Sequence, residues 1–173
     1  ESVRLRSVAD HSPEVRESIA KRHPSPTLLD DHRPIIEDPG IDAVVIASPA
    51  ALHYSLAKEA ILAGKHVFVE KPMTLSVDHS RELLELARSH DRVLMVGHLL
   101  LYHPCVAAIR DMIVRGEIGD VRYVYTQRLN LGKVRSDENS LVSLAPQDIS
   151  VILSLIGKPP ETVGATGGCF IRS

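Results

Sequence analysis

Glu70-Lys71-Pro72 closes the short apolar run Val67-Phe68-Val69, and here residue type and position together suggest chemistry. The run fits a buried strand, and the proline stops it, because the residue before a proline is pushed out of the α region. A charged pair is thus delivered to the strand's carboxyl end, where ligands bind in open α/β sheets. An ammonium held there can bind a hydroxyl and, when partly desolvated or beside positive charge, exchange its proton near neutral pH. Taken by itself the tripeptide is equally a surface ion pair; its place after a strand and before a helix sharpens it. Two other positions share the pattern. Asp10 ends the strand candidate Val3–Ala9, and Ser48-Pro49 ends the run Ile41–Ala47, with His53 five residues beyond Ser48. Read alone, Asp10 is a helix-start acid and His53 a helix-start histidine.

The elements that must position these residues alternate in type. Ser12 and Pro13 open a helix running to about Lys21, with Ser12 as N-cap and Pro13 in the first turn. Residues 32–37 form a short helix closed by Asp38-Pro39-Gly40. Ala43–Ala47 is a continuous apolar strand of the kind that helices cover on both faces. A helix over 51–63 ends at Gly64 as a C′ glycine, and Val67–Val69 is the next strand. Ser76 caps a helix to His90 whose buried side holds Val77, Leu83, Leu84, Leu86 and Ala87. Val93–Val96 is a strand and Pro104–Arg115 a helix. Strands separated by single helices predict right-handed crossovers and a parallel, doubly wound sheet. After Gly119 the rhythm changes: a longer strand is predicted over Val121–Asn130, a loop over Lys133–Ser140, a helix over Ala145–Ile156 and a strand over Glu161–Ile171. This divides the chain into residues 1–117, a Rossmann-like α/β domain, and residues 118–173, the start of an α+β domain.

Composition excludes several classes. The net charge is −2 over 173 residues, with no basic block and few aromatics, so nucleic acid is not an expected partner. No apolar run approaches the ~18 residues of a membrane span, and the first residues carry no signal-peptide core. Cys105 and Cys169 lie far apart in no metal or redox spacing, and are read as reduced, buried cysteines of a cytoplasmic protein. Nine histidines include no His-x-x-x-His pair, so no metal site is expected.

The Glu70-Lys71-Pro72 signature at this strand end resembles that of the Gfo/Idh/MocA nicotinamide-dependent sugar oxidoreductases. Ser48-Pro49-Ala50-Ala51-Leu52-His53 is similar to the family's Thr-Pro-Asn-x-x-His turn beside the dinucleotide, with Ala50 in place of the asparagine. The resemblance implies NAD as cofactor, with Asp10 on the adenosine ribose, Ser48, Pro49 and His53 beside the dinucleotide, and Glu70 near the nicotinamide ribose. It makes Lys71 the catalytic or substrate-orienting cation. Gly97-His98-Leu-Leu-Leu-Tyr102-His103-Pro104 matches a segment in which many relatives carry a base where Leu101 stands; Tyr102 and His103 are candidates for lining the substrate cleft.

The segments Asn130–Asn139 and Leu144-Ala-Pro-Gln147-Asp148-Ile149-Ser150 are similar to the branch that acts at C3 of UDP-N-acetylhexosamines and their uronic acids. That likeness implies Arg135, Asn139, Gln147 and Asp148 on the substrate side. The branch has a histidine where Gln147 stands, and that histidine shares acid–base work with the lysine. An amide cannot take up a proton, so Lys71 is left to carry it alone. Two readings remain. One is a dehydrogenase that oxidises a sugar or nucleotide-sugar hydroxyl, with Lys71 and Gln147 as catalytic pair, homo-oligomeric when complete. The other is a catalytically impaired relative that binds a sugar nucleotide or supports an oligomer without turnover. No Gly-x-Gly-x-x-Gly loop occurs anywhere in the chain. The sequence is therefore expected to be a piece of a protein of roughly 300 residues or more that lacks the first, central strand of the 3-2-1-4-5-6 order.

Overall fold

The computed structural model describes residues 3–129 and 139–168. The chain divides into two compact units, Glu1–Gly97 and His98–Ser173. The first holds β1 (Ser7–Ala9), α1 (Pro13–Arg22), β2 (Thr27–Leu29), α2 (Arg33–Glu37), β3 (Ala43–Ile46), α3 (His53–Leu62), β4 (His66–Val69), α4 (Val77–Ser89) and β5 (Leu94–Val96). All of its ladders are parallel. β1 pairs with β2, and β3-β4-β5 form a second sheet in that order. The division falls between β1 and β3, where the doubly wound order has its first strand. β2 was not predicted from the sequence.

Local signals account for most of the element ends. Ser12 Oγ accepts from the Val15 N–H at 3.3 Å, with Pro13 as the first helical residue. After α3, Gly64 takes φ +79°, and the Gly64 and Lys65 N–H groups bond back to Ile61 and Ala60, the left-handed ending that glycine adopts without steric cost. Ser76 holds the N-cap position of α4, but its hydroxyl makes no capping bond; Thr74 Oγ1 accepts from the Ser76 N–H instead. The Lys71-Pro72 peptide is cis.

The core lies on one face of the three-stranded sheet. Ile46, Val67 and Val69 meet Ala57, Ala60 and Ile61 of α3 and Leu83 and Ala87 of α4. Burial of a side chain the size of Ile61 or Leu83 contributes about 1.5–3 kcal/mol. On α4, Leu83 and Ala87 are buried and Leu86 packs against them, while Leu84 and Val77 are exposed. That corrects the wider stripe read from the sequence: only the residues one turn apart on the sheet side reach the core.

The second unit holds a 3₁₀ turn (Leu99–Tyr102), α5 (Pro104–Val114) and α6 (Ser140–Ile156), which pack on one another. The 3₁₀ turn and α5 thus belong to the same compact unit as α6. α6 starts before the predicted Ala145. Asn139 is its N-cap and Pro146 sits inside it, although a proline is most at home in a first turn. Residues 121–129 form no strand, a correction to the one predicted there, and neither do residues 162–168 of the one predicted over 161–171. A strand exists only through a ladder, and the described residues of this unit contain no partner for either segment. Cys105 is exposed, not buried as expected; Cys169 lies outside the described residues.

Candidate active site

Parallel pairing aligns the carboxyl ends of β3, β4 and β5, with Ile46, Val69 and Val96 in register. The ladder runs one residue further: the Glu70 N–H donates to the Ile46 carbonyl at 2.9 Å and the Gly97 N–H to the Val69 carbonyl at 2.8 Å. Glu70 therefore stands at the end of the central strand, with Lys71 next and Gly97 on the flank. A Cβ at position 97 would lie 3.1 Å from Glu70 Oε2 and 3.2 Å from its Cδ and Oε1. The carboxylate lies against bare backbone that any larger residue would crowd. Both Glu70 and Lys71 are half-buried. Gly97 is a site residue to which the sequence reading gave no role; the signal available was a glycine following the Val93–Val96 strand.

At the end of β3, Ser48 Oγ is buried and has no hydrogen-bond partner among the described residues. Pro49 precedes the 3₁₀ turn Ala50–Leu52, whose Leu52 N–H returns to the Pro49 carbonyl at 2.9 Å. His53 follows as the first residue of α3. Its ring is 1% exposed, with Nδ1 2.7 Å from the Pro72 carbonyl and Nε2 2.9 Å from the Ser48 carbonyl. Both polar atoms of the ring face the protein's own backbone.

Asp10 follows β1. Its N–H donates to the Leu29 carbonyl at 3.0 Å, its Oδ1 accepts from the Ser12 N–H at 2.8 Å, and Arg16 donates to its carbonyl. The carboxylate is thereby oriented at a strand end while remaining one-third exposed. These groups fit a dinucleotide on two grounds: carboxylates at strand ends suit ribose hydroxyls, and the orphaned Ser48 hydroxyl is buried at the same edge as Glu70. Among the described residues no cluster of His, Cys, Asp or Glu could hold a metal, and no helix is long and apolar enough to cross a membrane.

In the second unit, Gln147 Oε1 lies 3.5 Å from the Leu100 N–H, a long contact. Asp148 is engaged at both carboxylate oxygens by Arg128, at 2.7 and 3.1 Å. It is presented as an ion pair, and Arg128 is a partner that nothing local in the sequence marks. Asn139 uses its side-chain carbonyl to cap α6, accepting from Val142 N–H at 2.9 Å. His103 caps α5 in the same way through Nδ1. Both were expected on the substrate side; as N-caps they are explained by the helices they start. Tyr102 is 70% exposed, and Arg135 lies outside the described residues. His98 is held below the usual imidazole range by burial, with Nδ1 unpartnered among the described residues.

A parallel α/β domain with a carboxylate and an ammonium at its central strand end is the framework of a dinucleotide-binding oxidoreductase. Comparison with known proteins agrees. The model of the oxidoreductase family with NAD-binding Rossmann fold, Gfo/Idh/MocA, matches residues 1–98. An uncharacterised oxidoreductase, YrbE of Bacillus subtilis, is 29% identical over 98% of this chain and 51% of its own length. The UDP-N-acetylglucosamine 3-dehydrogenase of Acidithiobacillus ferrooxidans is 34% identical over 73% of this chain and 40% of its own. The solved NAD-binding oxidoreductase from Klebsiella pneumoniae superposes with a TM-score of 0.60 at 34% identity, covering 66% of this chain and 31% of that one. The chain belongs to the Gfo/Idh/MocA oxidoreductases, a family whose cofactor is NAD. It spans about half the length, or less, of the curated relatives it matches.

Proposed function

We propose that the full-length protein is an NAD-dependent dehydrogenase that oxidises a hydroxyl, at C3 in our reading, of a sugar or nucleotide sugar. The observation that carries this is the strand-end arrangement: Glu70 packed on the bare backbone of Gly97, Lys71 beside it and the orphaned Ser48 hydroxyl at the same edge. The similarity to a UDP-N-acetylglucosamine 3-dehydrogenase supports the nucleotide-sugar class.

Bound NAD supplies the hydride acceptor. Asp10 accepts from the adenosine ribose hydroxyls, Ser48 and Pro49 flank the dinucleotide, and Glu70 accepts from the nicotinamide ribose. Lys71, as the neutral amine, binds the substrate hydroxyl and takes its proton as the carbon bearing that hydroxyl gives up hydride. Gln147 orients the same hydroxyl by donating or accepting, and Tyr102, Arg135, Asn139 and the Arg128-paired Asp148 belong to the sugar side. We also infer a cytoplasmic homo-oligomer. In the full-length protein, Lys71→Met should lower turnover by about 10²-fold or more while sparing NAD affinity; unchanged turnover removes Lys71 from the chemistry.

One feature favours a second reading. Gln147 cannot accept a proton, which suits a relative that binds a sugar nucleotide, or supports an oligomer, without turnover. NADH formation by the full-length protein with a panel of nucleotide sugars separates the two.

A further inference from the structure

His53 is the most deeply buried polar side chain among the described residues. It opens α3, and its ring reaches in two directions at once: Nδ1 to the Pro72 carbonyl at 2.7 Å and Nε2 to the Ser48 carbonyl at 2.9 Å. Main-chain carbonyls only accept. A neutral imidazole has a single N–H, so at its other nitrogen a lone pair would face a carbonyl lone pair at hydrogen-bond distance. Both contacts become attractive only when both nitrogens carry protons.

We infer that His53 is a positioning residue that donates from both ring nitrogens, stapling the turn after β3 to the turn after β4. Pro72 follows Lys71 directly, so the staple fixes the backbone from which the ammonium projects. A buried ionised ring is costly unless its donors are met. Here both donors are met, and each carbonyl turns the negative end of its dipole toward the ring. The ionisable groups on the two stapled turns are Glu70 and Lys71; residues 47–52 carry none. The single N–H of a neutral ring would serve one turn and leave the other unheld.

The ring's protonation stands on geometry alone; only its kinetic consequence rests on the role proposed for Lys71. The test begins with the full-length wild-type protein labelled with ¹⁵N at histidine. A long-range ¹H–¹⁵N spectrum should show both His53 ring nitrogens in the protonated range. One protonated and one lone-pair nitrogen overturns the staple, and this result needs no activity. The second measurement is His53→Phe, which keeps a ring and removes both donors. A shift of the strand-end backbone by about 1 Å should lower kcat by about 10²-fold. A His53→Phe enzyme with wild-type kcat overturns the positioning role. If His53→Phe does not fold, the spectrum decides alone. Should Lys71→Met be silent while both nitrogens prove protonated, the function of Lys71 fails and the staple stands.

Discussion

Gly97→Ala separates the site from the scaffold. The added methyl carbon would lie 3.1 Å from Glu70 Oε2 and 3.2 Å from Cδ and Oε1, so the carboxylate must give by a few tenths of an ångström. Gly97 is not in the left-handed region, and alanine brings no backbone strain there. Turning Glu70 off its rotamer costs of order 0.5–1.5 kcal/mol. Alanine recovers about 0.4–1 kcal/mol by narrowing the unfolded ensemble. The two nearly cancel, and urea unfolding should place the variant within about 1 kcal/mol of wild type. Cofactor binding should not cancel. A hydrogen bond to a charged group contributes about 1.5–3 kcal/mol, and if Glu70 is turned away from the nicotinamide ribose, NAD should bind about 10- to 100-fold more weakly. Calorimetric titration of NAD into the full-length variant is the assay. Wild-type affinity with Glu70 displaced in a crystal structure would refute the role given to Glu70. A variant destabilised by several kcal/mol would refute the claim that only a side-chain end is in the way.

Other perturbations follow from the same contacts. Leu83 is fully buried between α4 and the sheet, so Leu83→Ala should cost about 2–5 kcal/mol, read from the urea midpoint of the first unit. Asp31 is held down to about 2 by the guanidinium and N–H of Arg33. Because the folded value lies below the ordinary 3.8, this contact stabilises the fold above that range and is lost as pH falls from there through about 2. An NMR titration should find the low midpoint in the wild type and one raised toward the ordinary range in Arg33→Ala, whose N–H still donates to Asp31. Gln147→His in the full-length enzyme should raise turnover and add an ionisation near 6.5 to the pH–rate profile, whereas the non-catalytic reading expects no gain.

What the sequence made legible was local. Ser12-Pro13, Gly64 and the apolar runs of β3 and β4 act through neighbours a few residues away, and these elements form where they were predicted. β2 was missed because Thr27-Leu28-Leu29 is three residues long between Pro26 and Asp30, too short for any alternation to show; it exists through its ladder to β1. The opposite error arose at 121–129, where the pattern of a strand is present and no ladder forms. The site divides in the same way. Glu70, Lys71 and Ser48 could be placed because topology alone puts strand-end residues together. The contact of Gly97 with Glu70 runs sideways between neighbouring strands, and the Arg128–Asp148 pair joins residues twenty apart. The contacts of His53 with the Ser48 and Pro72 carbonyls join two turns that no local motif shows to be neighbours.

Under the function proposed above, the difference between a working and an impaired enzyme comes down to what one position in α6 can do with a proton. Gln147 directs its amide oxygen at the Leu100 N–H across 3.5 Å, a long contact. An imidazole there would meet the same N–H with a lone pair, and that contact favours an unprotonated nitrogen on the side facing Leu100. The neutral ring's single N–H would then lie on the other nitrogen, so the ring could act as a base only by giving up the Leu100 contact. Glutamine has no such asymmetry to set. In that reading glutamine leaves the substrate's proton to Lys71, and loss of one positioned acid–base group typically costs 10²–10⁴-fold. That reading expects a pH–rate profile governed by one ionisation, with the amine of Lys71 at the end of β4 as the single proton acceptor.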